Sequence, residues 1–196
     1  RRHTRLRTVT GVQTCALPIS NGTETAQYRY GQIVFKSVTN LVTSYLAVTN
    51  TLRLHDEYLW GLGEVPSSWP AAALEAQVIA ARTYALGKLS KIRIECDCNI
   101  YNSTADQNFV GYAKENEAIY GIKWKEAVNR TFVDENNSLV ITLDGKFINS
   151  FYFSSSGGVT QNITEVWGSS FSYLQGVPDP WSLDPLINRQ IGRAHV

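Results

Sequence analysis

The chain has 196 residues, of which 43% are hydrophobic and 18% charged, with three cysteines and a formal net charge of +1. This size suits one domain with a hydrophobic core. No apolar run is long enough to cross a membrane.

The two ends of the chain are predicted to be translated sequencing adapter. Thr14–Ile19 can be encoded by an oligonucleotide whose opposite strand, read one base out of frame, encodes Ile191–Val196. Such scars are excluded from fold reasoning, which leaves residues 20–190 as protein and predicts unstructured ends at 1–19 and 191–196. A transit or signal segment is disfavoured because no apolar stretch of useful length follows the N-terminal arginines. Without the five arginines of these ends, 13 basic residues face 17 acidic ones, so the net charge is −4 and no nucleic-acid partner is expected.

The first half of the protein predicts two strands followed by helices. Residues 28–38 and 45–54 are rich in β-branched and aromatic residues and predict strands joined by a polar turn at 40–44. Residues 55–62 predict a short helix or turn. A long helix is predicted over residues 70–89, with Ser67 or Ser68 as its cap and Pro70 in its first turn.

The second half is more irregular. Residues 95–121 are polar and long for a loop without function. A short helix is predicted over 123–131, and a hairpin over 138–153 turns at Asp144-Gly145, a strong turn signal. The predicted fold class is α+β, a single domain with antiparallel strands packed around one long buried helix.

The long helix is apolar on nearly every side, which is typical of a buried helix. Gln77 and Arg82 are the exceptions, and burying such groups without partners is costly. They are therefore predicted either to bind a ligand or to hold a neighbouring loop through a polar partner.

Several motifs together resemble the SpoIID/LytB family of bacterial cell-wall proteins. The stretch from Glu64 to Tyr84, with Glu64-Val65-Pro66 and Ala80-Ala81-Arg82-Thr83-Tyr84, is similar to the family signature. Further elements follow in the family's order. They are Gln107-Asn108-Phe109-Val110-Gly111, Ala127-Val128-Asn129-Arg130-Thr131, Tyr152 to Thr160, Trp167, and Val177 to Trp181.

The resemblance implies that Glu64 is the catalytic residue of a peptidoglycan lytic transglycosylase. One carboxylic acid would protonate the glycosidic oxygen and then, as a carboxylate, deprotonate the sugar's 6-hydroxyl, giving an anhydromuramic product without a second carboxylate. From its position alone, Glu64 could instead serve the dipole of the following helix. The family often has lysine where this chain has Glu75, which puts any substrate role of that position in doubt.

Other side chains are candidates for binding the glycan. Gln77 and Arg82 could contact N-acetyl and lactyl groups, and Trp69 is expected beside Glu64. The loop after residue 152 is rich in hydroxyls and glycines, which suit sugars and close backbone approach; a tight turn is the alternative. The predicted substrate-binding set is Gln77, Arg82, Tyr152, Ser154, Ser156, Gly157, Gly158 and Trp69.

No metal or other cofactor is predicted. Some family members carry a Cys/His zinc site near Cys96-Asp97-Cys98, but only His55 remains outside the adapter ends and two cysteines are too few for a closed zinc site. Cys96 and Cys98 are therefore expected to form either a disulfide or two free thiols.

Two classes of function follow. The first is an extracytoplasmic lytic transglycosylase acting on glycan strands that an amidase has stripped of peptide. The second is a non-catalytic wall-binding protein that enhances an N-acetylmuramoyl-L-alanine amidase partner.

Overall fold

The computed structural model describes residues 17–20, 25–39 and 41–184, and for residues 17–20 and 25–26 it describes the backbone alone. The chain divides into two compact units, one ending at Ser150 and one beginning at Phe151. The sequence predicts a single domain over this range. The two units are described separately below.

The first unit begins with a short antiparallel pair. Strand β1 (Leu17–Ser20) pairs with β2 (Thr25–Tyr28) in the register Leu17↔Tyr28. The expectation of an unstructured segment up to Ile19 is therefore wrong for its last three residues, because backbone pairing needs no particular side chain. Residues 1–16 and 191–196 lie outside the described residues, and the adapter origin of both ends stays a prediction.

A longer hairpin follows and confirms the two predicted strands. Strand β3 (Gln32–Thr39) pairs antiparallel with β4 (Ser44–Thr51), with Gln32 opposite Thr51. Within this hairpin Phe35 and Leu46 are exposed and Ala47 is buried. The hairpin thus contributes little to the described core.

Two helices lead into the core. Helix α1 (Glu57–Trp60) is capped by Asp56, whose Oδ1 accepts from the Glu57 N–H at 2.7 Å. Helix α2 (Ala71–Lys88) matches the predicted long helix. Its cap differs from the prediction: Pro70 is the N-cap residue, and its carbonyl accepts from the N–H groups of residues 73 and 74. The Ser67 hydroxyl instead donates to Glu117 Oε2 at 2.6 Å.

The core lies between α2 and α4 (Ile119–Arg130), which follows the short helix α3 (Tyr112–Glu115). Trp124 is fully buried, and its indole N–H donates to the Leu59 carbonyl at 2.8 Å. The other large apolar side chains of this core are Leu59, Leu62, Leu74, Val78 and Val128. Burial of each contributes about 1.5–3 kcal/mol.

The expected packing of strands around α2 is not what the first unit shows. Among the described elements, α2 approaches α1, α4 and β6, whereas β3 and β4 do not approach it closely. Helix α2 is also buried on one side only, since Ala71, Ala72 and Ala76 are exposed. An alanine-rich pattern predicts burial because alanine is apolar, but exposing its small side chain to water costs little free energy. The fold class is mixed helix and strand, as predicted.

The first unit closes with the predicted hairpin at Asp144-Gly145. Strands β5 (Thr142–Leu143) and β6 (Lys146–Phe147) are shorter than predicted. Both turn residues have positive φ, 50° and 74°, which is the two-residue turn that Asp-Gly favours.

The second unit contains little regular structure. Helix α5 (Ile163–Trp167) is capped by Asn162, whose Oδ1 accepts from the Thr164 N–H at 3.0 Å, and it ends at Gly168 with φ 70°. A 3-10 helix spans Pro180–Leu183. Throughout the described ranges, no helix is both long and apolar enough to span a membrane.

Candidate functional site

Glu64 lies on the turn before α2, half-buried, with a carboxylate oxygen held by the backbone of another segment. The Asn108 N–H donates to Glu64 Oε1 at 2.6 Å. Two more bonds fix the same pair of segments: the Gly63 N–H donates to the Asn108 carbonyl at 2.8 Å, and Asn108 Nδ2 donates to the Gly63 carbonyl at 3.2 Å. The carboxylate is therefore oriented by a neighbouring strand-like segment and not only by its own turn.

Glycines allow this close approach. A Cβ at Gly61 would lie 2.4 Å from the Phe109 ring, and a Cβ at Gly63 would lie 2.8 Å from the Val110 side chain. Larger residues would push the two segments apart. Gly61 also accepts from the Val110 N–H at 2.8 Å, which continues the pairing.

The segment that holds Glu64 is fixed at successive residues. Gln107 is 1% exposed; its Nε2 donates to the Ala81 carbonyl of α2 at 3.2 Å, and its Oε1 accepts from the Tyr58 hydroxyl at 2.8 Å. The Phe109 N–H donates to Asn102 Oδ1 at 2.7 Å, and its ring stacks on Tyr58. These bonds anchor the segment to both α1 and α2.

Asp106, two residues before Asn108, has a fully buried carboxylate surrounded by donors. It accepts from the Arg93 guanidinium, from the Tyr84 hydroxyl at 2.9 Å and from the Tyr101 N–H at 2.9 Å, and Lys88 Nζ lies 3.4 Å away. Burial alone would raise the pKa of the Asp106 carboxyl, but the hydrogen bonds outweigh it and lower the pKa to about 2.

Tyr84 is the phenolic donor of this cluster. Burial, and then the hydrogen bond to Asp106, raise the pKa of the Tyr84 hydroxyl well above its usual value. The negative charge of Glu64 also raises the pKa of Tyr84, with a smaller effect than burial and Asp106.

Arg82 is buried away from water, with 2% of its surface exposed. Its two terminal nitrogens donate at 2.9 Å each, one to the Leu139 carbonyl and one to Thr131 Oγ1. The guanidinium also lies over the Phe132 ring, 5.9 Å from its centre. Burial lowers the pKa of Arg82 to about 10. The side chain thus ties α2 to residues 131–139 through a carbonyl and a hydroxyl.

Gln77 is half-buried, and its Nε2 is enclosed with no hydrogen-bond partner among the described residues. Such a donor is costly unless something accepts from it. Trp69 is 44% exposed on the turn that carries Glu64. Glu75 pairs with Arg130 of α4 at 2.5 Å, so the residue that replaces the family's lysine has a structural partner here.

The predicted serine- and glycine-rich loop belongs to the second unit. Ser156 Oγ donates to Asp179 Oδ2 at 2.7 Å and lies 2.7 Å from Ser182 Oγ. Gly157 and Gly158 have φ of 69° and 109°, which favours glycine at both positions. These bonds hold the loop to the 3-10 helix, as a tight turn would. Ser154 is exposed and Tyr152 half-buried.

Cys96 and Cys98 form a disulfide, which resolves the alternative between a bridge and free thiols. His55 lies elsewhere: its Nδ1 is 2.8 Å from Ser138 Oγ and its ring stacks on Phe132. Over residues 27–39 and 41–184, no three His, Cys, Asp or Glu side chains gather as metal ligands would.

A cleft of about 290 Å³ also opens in the first unit, between β4 and the segment around the disulfide. Tyr101, Phe109 and Asn102 line it, and Glu64 does not. The segment that binds Glu64 thus borders this cleft as well.

Sequence reasoning missed most of the residues that surround Glu64. Asn108 stands inside the motif Gln107 to Gly111, and the resemblance to the family assigns no role to that motif. Asp106 and Arg93 are ordinary charged residues of a polar stretch. Nothing local in the sequence indicates that they meet Tyr84.

Comparisons with known proteins agree with the motifs. Residues 43–134 match the model of the family described as Stage II sporulation protein, SpoIID. The chain is similar to the amidase enhancer of Bacillus subtilis (strain 168), with 34% identity over 124 residues, which is 63% of this chain and 15% of that protein. It is also similar to Stage II sporulation protein D of Bacillus subtilis (strain 168), with 27% identity over 139 residues, 64% of this chain and 38% of that protein.

A third relative is an uncharacterized protein of Brachyspira hyodysenteriae (strain ATCC 49526 / WA1), 30% identical over 150 residues, 76% of this chain and 37% of that protein. The chain therefore spans well under half the length of these curated relatives. The predicted resemblance to the SpoIID/LytB family is confirmed, by the family model over residues 43–134 and by relatives named for sporulation and for amidase enhancement.

Proposed function

We propose that this protein is a peptidoglycan lytic transglycosylase with Glu64 as its single acid/base. The observation that carries the proposal is the carboxylate of Glu64, half-buried in the family signature and oriented by the Asn108 N–H at 2.6 Å. A positioned carboxyl of this kind is what general acid–base catalysis requires.

In the proposed reaction, protonated Glu64 donates its proton to the glycosidic oxygen, and the bond from that oxygen to the muramic acid C1 breaks. The resulting Glu64 carboxylate accepts the proton of the sugar's own 6-hydroxyl, whose oxygen bonds to C1. The products are a shortened strand and a 1,6-anhydromuramic end, and no water is consumed. The proton that Glu64 gives away is thus replaced by the second step.

A single carboxylate suffices for this route, and the surroundings of Glu64 fit it. Asp106 is the carboxylate of the adjoining network, and it is fully buried and surrounded by donors. It is therefore not available as the nucleophile that a retaining glycosidase would need.

Substrate contacts are proposed for the remaining predicted residues. Gln77 Nε2, which has no partner within the described ranges, suits the carbonyl of an N-acetyl group, and the exposed Trp69 ring suits the face of a sugar. Within the second unit, glycan binding is proposed for Tyr152, Ser154, Ser156, Gly157 and Gly158. For Arg82 the two bonds to protein oxygens favour a structural role.

The test is release of anhydromuramic products from purified, peptide-stripped glycan strands. Glu64→Gln keeps the shape of the side chain but removes its acid and base, so turnover should fall by about 10²–10⁴-fold or more while glycan binding persists. Glu75→Gln is a matched control, because Glu75 is a carboxylate engaged with Arg130. Undiminished product release by the Glu64→Gln variant would exclude Glu64 as the acid/base and refute the proposal.

A non-catalytic wall protein that stimulates an N-acetylmuramoyl-L-alanine amidase is the second candidate, favoured by the similarity to a protein named amidase enhancer. Adding the protein to such an amidase on intact peptidoglycan separates the two. Stimulation that survives Glu64→Gln, with no anhydromuramic product from either form, supports the second candidate. In both cases the substrate places the protein outside the cytoplasmic membrane.

A further inference from the structure

A buried carboxylate ties together the helix and the loop that flank Glu64. Tyr84 and Lys88 reach Asp106 from α2, and Arg93 and Tyr101 reach it from the segment after the helix. A carboxylate placed out of water is costly unless charged donors surround it. The position of Asp106 is therefore fixed by several bonds at once. The backbone of the residues next to it is held in place as a result.

Only Gln107 separates Asp106 from Asn108, the residue whose N–H bonds Glu64, and the backbone conformation of this short segment is restricted. Gln107 is buried and bonded to α2, and Asn108 follows with its N–H on Glu64 Oε1 at 2.6 Å. Beyond it, the Phe109 N–H is bonded to Asn102. The Asn108 N–H that bonds Glu64 Oε1 is thus positioned from both sides.

We propose that Asp106, held by Arg93 and Tyr84, is a positioning residue that keeps the Asn108 N–H against the Glu64 carboxylate. This inference rests on the proposed function, in which Glu64 is the acid/base. Asp106 itself touches neither substrate nor the reacting proton. Its role is to fix the direction of the Glu64 carboxylate and to favour the ionised form after the proton has left.

Two variants test the proposal in the full chain, with kcat and KM measured on peptide-stripped glycan. Asp106→Asn gives the Arg93 and Tyr101 donors an amide in place of a carboxylate, and Tyr84→Phe removes one donor while leaving the carboxylate and Arg93 in place. A misplacement of about 1 Å can cost 10²-fold in rate. We expect kcat to fall roughly 10- to 100-fold for Asp106→Asn and several-fold for Tyr84→Phe, with KM unchanged.

The pH profile of kcat/KM is the readout that a merely structural role would not move. A hydrogen bond donated to a carboxylate favours its ionised form. Loosening the Asn108 bond therefore keeps Glu64 protonated to higher pH, and the alkaline limb of the profile moves upward in Tyr84→Phe, which leaves every charge of the network in place. In Asp106→Asn the loss of a negative charge opposes this shift, so for that variant kcat is the deciding readout.

Tyr30→Phe is the matched control. The Tyr30 hydroxyl donates to Glu115 Oε2 at 2.9 Å, beside Lys125. Tyr30→Phe therefore removes the same kind of tyrosine–carboxylate bond as Tyr84→Phe, but at a different carboxylate. This variant should keep the wild-type kcat and the wild-type alkaline limb.

The outcomes are distinguishable. If Glu64→Gln abolishes turnover but Tyr84→Phe and Asp106→Asn keep the wild-type kcat and pH profile, Asp106 is structural and the positioning role is refuted while the enzyme stands. If Glu64→Gln retains turnover, the proposed function fails and the positioning role fails with it. If Asp106→Asn does not fold, the milder Tyr84→Phe decides by the same two readouts.

Discussion

Arg82→Ala is predicted to unfold the protein more easily without damaging the chemistry. The side chain is 2% exposed and donates two bonds of 2.9 Å, to the Leu139 carbonyl and to Thr131 Oγ1. Hydrogen bonds from a charged group contribute about 1.5–3 kcal/mol each. Removing the cation also removes the cost of burying it, which offsets part of the loss.

The net expectation is a decrease of about 2–4 kcal/mol in the free energy of unfolding, because Thr131 stays buried and loses its donor. Urea denaturation, followed by fluorescence, measures this difference directly. For a two-state domain the midpoint moves while the slope with urea stays constant.

Arg130→Ala is the control for this measurement. Arg130 pairs with Glu75 across α2 and α4, but 44% of its side chain is exposed. Surface pairs of this kind contribute about 0–1 kcal/mol. If Arg82→Ala keeps the wild-type midpoint and loses glycan cleavage instead, Arg82 binds substrate and the structural assignment is wrong.

Three further predictions concern metal, acid and the chain ends. A chelator should leave glycan cleavage unchanged, and Cys96→Ser with Cys98→Ser should lower the melting temperature more than the turnover; stoichiometric zinc lost together with activity would contradict this. The pKa of Asp106 is lowered to about 2 in the folded protein, so the stability it contributes is complete above its unfolded value near 4 and is lost as the pH falls toward 2; an acid unfolding curve of Asp106→Asn identical to wild type would contradict it. Deleting residues 1–16 and 191–196 should leave the melting temperature unaltered, and a marked decrease would show that these ends are genuine protein.

Local signals predicted the elements well, because they depend on neighbours in sequence. Pro70 and the apolar run after it indicated α2, and Asp144-Gly145 indicated a hairpin whose two turn residues have positive φ. The predicted cap failed for a non-local reason: the Ser67 hydroxyl bonds Glu117, fifty residues away. The apolar composition of α2 also predicted more burial than the structure shows, because alanine is tolerated on exposed helix faces as well as on buried ones.

The candidate site was predictable only in part, and the division follows the range of the contacts. Glu64 could be found because the motif around it is local in sequence. Its donor, Asn108, lies 44 residues further along, and the bond involves a backbone N–H that any residue could supply. The pattern of side chains in the sequence therefore cannot predict such a bond.

Arg82 and Asp106, two of the buried charges of the first unit, illustrate two different uses of burial. The two terminal nitrogens of Arg82 donate to a carbonyl and a hydroxyl, so these bonds hold residues 131–139 to α2. Asp106 is satisfied by charged and phenolic donors, and its position is transmitted over two residues to the N–H that Glu64 accepts. The two residues differ in which segment their hydrogen bonds hold in place, and not in how far their side chains are buried. Stability and turnover should therefore respond separately: substitutions at Arg82 change the unfolding free energy, and substitutions at Asp106 change the rate as well.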